Sequence, residues 1–154
     1  FTRNCLAEDY AKALFNFWHD ARGSAAFPPV SAIDPVDLPN SCLPYLSIIE
    51  VERDPLRLRA RLTGSALVEQ FGMNQAGHYL DELPGTQTQL ARIEWCVREK
   101  RPYLASAQIT FAPNDYRHYQ ILVLPFADSA TGVQRIVGVF CFLEGFDSFD
   151  SWVT

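Results

Sequence analysis

Apolar side chains recur at spacings of three and four along the first part of the chain. Leu6, Tyr10, Ala13, Leu14, Phe17 and Ala21 fall on one face, and Glu8, Asp9, Lys12, Asn16, His19, Asp20 and Arg22 on the other. The pattern predicts an amphipathic helix stopped by Gly23, with a broad aromatic stripe that must be buried against something. From Ser24 to Pro39 the pattern lapses. Pro28, Pro29, Pro35 and Pro39 keep this linker extended, because proline lacks an N–H and restricts the residue before it. Leu46 to Glu52 is rich in Ile and Val, and Leu56 to Leu62 alternates apolar and basic residues. Arg53-Asp54-Pro55 between them reads as the turn of an antiparallel hairpin.

Thr63-Gly64-Ser65 opens a short helix, with Ser65 as N-cap, Leu67, Val68 and Phe71 on one face, and Gly72 at its end. A broken region with Leu80 and Leu83 as apolar contacts runs to Gly85. A second helix spans Thr86 to Lys100, with Leu90, Ile93, Cys96 and Val97 as its core stripe and Pro102 beyond it. Three strands follow: Tyr103 to Phe111, Tyr119 to Phe126 and Arg135 to Leu143. Turn signals at Pro113-Asn114-Asp115 and Asp128 to Gly132 separate them. Ile121-Leu122-Val123-Leu124 and Ile136-Val137-Gly138-Val139-Phe140 are apolar on both faces. Such strands belong in the middle of a sheet covered on both sides, with the N-terminal helix as the cover for one of them.

Composition narrows the function classes. At 154 residues a single domain is expected, and 48% hydrophobic with 20% charged residues is globular. A net charge of −5 disfavours phosphate backbones and anionic membrane surfaces as partners. No apolar run reaches transmembrane length, and no secretory apolar segment opens the chain. Cys5, Cys42, Cys96 and Cys141 are far apart in apolar stretches, which fits reduced thiols in a cytoplasmic protein better than a metal site.

The residues that carry chemistry each admit two readings. His78, Asp81 and Glu82 have the spacing of metal ligands on one helix face, or of an ordinary surface turn; no metal site is expected. Arg57, Arg59 and Arg61 line one strand face. They form either an anion clamp or a solvated face paired with Glu50 and Glu52. Tyr116, His118, Tyr119 and Gln120 could set polar tips in an apolar pocket, or pack at a strand end. Trp95 lies off its helix's core stripe, as an interface or a surface residue. No nucleophile elbow, phosphate loop, dinucleotide fingerprint or zincin motif is present, and no catalytic residue is expected. The enzyme alternative is a small cone-shaped isomerase or hydratase using Asp81, His118 and Tyr79.

The order helix, two strands, short helices, three strands predicts an α+β domain: a five-stranded antiparallel sheet with helices on one face and an N-terminal helix. It resembles the PAS fold, in particular a short bacterial PAS-like family in which the domain stands nearly alone. The resemblance rests on Phe17-Trp18, Pro28-Pro29, Ile33-Asp34-Pro35, Cys42-Leu43-Pro44-Tyr45-Leu46, Arg61-Leu62-Thr63-Gly64-Ser65, Phe71-Gly72, Gly77 and Leu122-Val123-Leu124-Pro125. It departs from the family at Val30-Ser31, where a basic residue is usual. On this reading residues 1–27 are the N-terminal helix, 28–145 the PAS-like domain and 146–154 a tail.

The resemblance implies a cytoplasmic sensory or regulatory module in signalling. It binds a small molecule between sheet and helices, works through a protein partner, or serves as a dimerisation scaffold without a ligand. The expected cavity residues are Phe71, Ile93, Ile121, Val123 and Phe140, with Arg61 or His118 as polar anchor. Haem is disfavoured because Thr86 to Lys100 holds no histidine, and flavin because Asn4-Cys5 is followed by Leu6 and lies far upstream. The cofactor, where there is one, stays open. A homodimer is expected on Tyr10, Leu14, Phe17 and Trp18, with Phe146, Phe149 and Trp152 of the tail as further aromatic surface.

Overall fold

The doubly apolar strands settle the architecture, since each needs a neighbour on both edges and a cover on both faces. The computed structural model describes residues 1–34, 36–108, 118–128, 132–143 and 151–153. Its strands are β1 (Leu46–Glu52), β2 (Arg57–Thr63), β3 (Tyr103–Gln108), β4 (His118–Asp128), β5 (Gly132–Leu143) and β6 (Ser151–Val153). They form one antiparallel sheet in the order β2-β1-β5-β4-β3-β6. The two apolar strands, β5 and β4, hold the centre. The tail was expected outside the sheet; Ser151–Val153 instead pairs with β3 as a short edge strand on a five-stranded core. The sequence turn at Pro113-Asn114-Asp115, most of that at Asp128 to Gly132, and Tyr116, Phe146 and Phe149 lie outside the described residues, as does the side chain of Trp152.

Period-two alternation divides the sheet's side chains between two cores. On one face Tyr119, Ile121 and Val123 of β4 join Ile136 and Phe140 of β5, Ile49 of β1 and Leu58 and Ala60 of β2. This face is covered by α2 (Ser65–Phe71), a 3-10 turn (Leu80–Glu82) and α3 (Gln87–Glu99), through Leu67, Phe71, Leu80, Leu83, Ile93, Cys96 and Val97. On the opposite face Leu122, Leu124 and Phe126 of β4 and Val137, Val139 and Cys141 of β5 meet α1 (Asp9–Arg22) and the linker after it. We call these the inner and outer layers.

The N-terminal helix therefore covers the second face, as expected, but with a different stripe. Ala11, Leu14 and Trp18 are its buried residues, while Tyr10, Phe15 and Phe17 are half-buried. Leu6 precedes the first helical residue and so does not help fix the rotation of the helix. Trp18 fixes it, because a buried indole N–H needs an acceptor. It finds one in the Pro125 carbonyl, at 2.9 Å.

Proline in the middle of β4 is tolerated for the same reason. β3 begins at Tyr103, opposite Val123, so the stretch of β4 beyond has no strand neighbour on that edge and loses no ladder bond. Outer-layer groups satisfy the edge: Trp18 donates to Pro125, and the Ala127 N–H donates to the Pro28 carbonyl at 3.0 Å. The linker is thus pinned along the sheet, with Pro28, Ile33 and Leu38 buried.

A register shift marks the β1–β2 pair. Ile48 faces Leu62 and Ile49 faces Ala60, so Arg61 is the extra residue of a bulge. Simple alternation puts Leu58, Ala60 and Leu62 on one face; the bulge instead sends Leu62 to the outer layer. α2 begins at Ser65 with Gly64, not Ser65, in the cap position.

Candidate functional site

The inner layer buries four aromatic side chains, Phe71, Tyr103, Tyr119 and Phe140, compared with Trp18 and Phe126 in the outer layer. Phe71 at the end of α2 meets Phe140 edge-on, with centroids 5.4 Å apart and planes at 74°. Phe140 also contacts Tyr119, at 5.4 Å, and stacks on Phe142, at 6.2 Å. Tyr119 and Phe142 are direct cross-strand partners, so the β4–β5 pleat brings all three rings to one face. Phe71, Ile93, Ile121, Val123 and Phe140 are thereby assembled in one buried cluster.

The polar groups of this layer come from α3 and its start, β3 and β4. Gln89, in the first turn of α3, donates its side-chain N–H to the Tyr119 hydroxyl. Tyr103 is fully buried beside Trp95, and burial pushes its hydroxyl pKa well above the ordinary tyrosine value. Thr86 donates to the Leu80 carbonyl at 2.6 Å, fastening the start of α3 to the turn before it. Cys96, on the same helix, has its thiol pushed up to about 12 by burial, so it stays protonated and inert at neutral pH.

The two expected polar anchors are not in this layer. Arg61 is exposed and pairs with Glu50 at 2.5 Å, because the bulge turns it toward the acidic neighbour on β1. His118 pairs across the sheet with Leu143, which packs against the outer core, so alternation places it opposite Tyr119 and Ile121. Its Nε2 is buried and bonds no described residue. A polar side chain that does reach this layer is Gln89, which sequence reasoning did not single out. The signal was present: Gln89, Ile93 and Val97 are spaced by four on the buried face of α3.

The arginines of β2 form a surface lattice. Arg59 bonds Glu50 at 2.7 Å, and Arg135 approaches the same carboxylate at 3.7 Å. The guanidinium groups of Arg59 and Arg61 hold the Glu50 carboxyl below its ordinary range. Arg57 grips Asp81 through two nitrogens, reaches Glu82 at 3.3 Å, and lies 3.6 Å over the Tyr79 ring. Tyr79 in turn donates to Glu52 at 3.0 Å. This is the paired-face reading of the three arginines, and it occupies Asp81 and Glu82 with a cation. Among the described residues no group of three His, Cys, Asp or Glu side chains is placed to hold a metal.

The isomerase trio is also taken apart. Tyr79 and Asp81 lie beyond the outer edge of β2, where Tyr79 bridges to Arg59, and His118 is on β4, three strand spacings from β2, or about 14 Å. The interface candidates are likewise used within the chain. Leu14 and Trp18 are buried in the outer core, and Tyr10 stacks on Tyr45 at 4.4 Å while donating to the Phe140 carbonyl at 2.8 Å. Phe17 remains at the half-buried margin. Much of the aromatic stripe thus packs against the sheet within its own chain.

A family model described as a PAS domain matches residues 7–141, most of the chain, including α1 and the linker. No curated protein and no solved structure matches it. No helix among the described residues is long and apolar enough to cross a membrane.

Proposed function

The chain belongs to the PAS domain family, and from that membership we propose that it is a sensory and regulatory module whose inner layer takes up a small, largely apolar molecule bearing one polar end. The observation that carries the proposal is the Gln89–Tyr119 pair set beside the Phe71, Phe140 and Phe142 rings. A small-ligand site needs an apolar, aromatic lining and a few placed polar groups. An amide and a phenol that bond each other have further donor and acceptor capacity to turn toward a ligand oxygen or nitrogen. Binding there would press on α2 through Phe71 and on α3 through Gln89, and displacement of those helices is the signal a partner protein would read.

The role is regulatory rather than catalytic on this reading. Asp81 is clamped by Arg57, Tyr79 is committed to Glu52, and His118 is on the other face of the sheet. Native mass spectrometry of the protein isolated from its own host tests the proposal. A retained small molecule is expected, lost or weakened about tenfold in Tyr119→Phe and Gln89→Leu. A chain that carries no added mass, and whose melting temperature no member of a metabolite panel raises, leaves the family's scaffold role and removes the sensing one.

A further inference from the structure

A cleft lies where α1 finishes, beside the connection from α3 to β3. It has a volume of about 350 Å³ and is lined by Phe15, Trp18, His19 and Arg22 of α1 together with Arg101 and Pro102. Its walls are of two kinds. The apolar wall is aromatic: Phe15 stacks on the buried Trp18 ring, with planes 19° apart and centroids at 6.3 Å, and Phe1 packs on Phe15 at 5.6 Å. The polar wall is cationic, and among the described residues no carboxylate lines the cleft. In a chain with 18 acidic residues against 13 basic ones, two guanidinium groups left together without an acid are a local reversal of charge.

The two arginines are prepared differently. Arg22 is ordered by its own helix end. Its Nη1 donates to the Ala25 carbonyl at 2.8 Å, and its guanidinium carbon lies 5.4 Å from the Trp18 ring centroid. Its Nε is buried and bonds no acceptor among the described residues. Arg101 is exposed and makes no ion pair or hydrogen bond with any described residue. Most other arginines described here are committed to acids: Arg57, Arg59, Arg61, Arg98 and Arg135 all have carboxylates within 4 Å. A guanidinium beside an aromatic face is suited to a planar anion, which it meets by hydrogen bonds in the plane while the ring stacks.

We propose that this cleft is a binding site for a small aromatic carboxylate, its ring against Phe15 and Trp18 and its carboxylate between Arg22 and Arg101. The site is separate from the inner layer and does not depend on that layer holding a ligand. It joins α1, on the outer face, to the segment that leads out of α3, on the inner face. An occupant would therefore tie the two layers together.

The test is isothermal titration of the full chain with 2-naphthoate, with 2-naphthamide as the uncharged counterpart. Saturable binding of naphthoate is expected, with the amide at least tenfold weaker. Arg101→Gln and Arg22→Gln should each weaken naphthoate at least tenfold, while Tyr119→Phe, in the inner layer, leaves it unchanged. Arg101 is exposed, so its variant keeps the fold and the test stands even where Arg22→Gln is unstable. Absence of saturable binding, equal binding of the amide, or undiminished binding by Arg101→Gln overturns the proposal. Loss in Tyr119→Phe alone also overturns it, by placing naphthoate in the inner layer.

Discussion

A β-carbon on Gly64 would stand 2.3 Å from the Pro44 carbonyl oxygen and 2.5 Å from that of Leu43. The backbone at Gly64 is ordinary, with φ at −62°, so the glycine is required by close approach and not by conformation. Backbone atoms cannot swing aside as a side chain can. Gly64→Ala should therefore cost about 3 kcal/mol, read from urea unfolding. Gly72 is the opposite case, with φ at +76° and open space around it. There alanine should cost about 1 kcal/mol, from backbone strain alone. Trp18 is the other single residue on which much depends. Trp18→Phe removes the donor to Pro125 and part of the ring from the outer core, and should lower stability by about 2 kcal/mol in the same measurement. An effect on self-association without that loss of stability would contradict the burial of this side chain within its own chain.

At the scale of elements, the β1–β2 pair carries a pH dependence whose sign follows from Glu50. Its carboxyl is held below the ordinary glutamate range in the fold by Arg59 and Arg61. A group with a depressed folded pKa contributes its full stability above the unfolded value and loses it as pH falls through the folded one. Glu50→Gln should cost about 1 kcal/mol at pH 7, the upper end for a surface pair because only 20% of the carboxylate side chain is exposed. The difference between wild type and variant should close in thermal melts as pH falls below the glutamate range.

The elements also show what could be read from the chain. β1 was legible to the residue, since Leu46–Glu52 is bounded by a proline-containing turn on each side. That Phe71, Ile93, Ile121, Val123 and Phe140 share one buried cluster was legible because strand alternation and the α3 stripe both point inward. The face of α1 was not, because an indole's need for one particular carbonyl, on a strand more than 100 residues away, leaves no local pattern. Arg61 and His118 were misassigned for related reasons. A bulge shifts faces without changing composition, and a residue at a strand's start shows its side only once the register is known. Gln89 was passed over because a polar residue on an apolar stripe reads as the end of the stripe rather than its purpose.

At the scale of the whole molecule, a single sheet serves as the common wall of two cores, and both draw on β4 at alternate residues. The outer cover is α1 and a linker, fastened to the strand edge beyond Val123 by the bonds to Pro125 and Ala127. That edge makes the outer cover an opening unit of its own. It can lift away without breaking the ladder between β4 and β5, so its free energy of opening should be smaller than that of global unfolding. Native-state hydrogen exchange can see the difference, because the Ala127 amide is protected by the linker while the amides at the middle of β4 are protected by neighbouring strands. Ala127 should exchange through the smaller opening, and Trp18→Phe should speed it more than it speeds Leu122. Equal acceleration at both would mean that the two layers open only together. If they open apart, the chain has a native substate in which a stretch of central strand presents bare N–H and C=O groups to solvent, ready to accept another extended peptide.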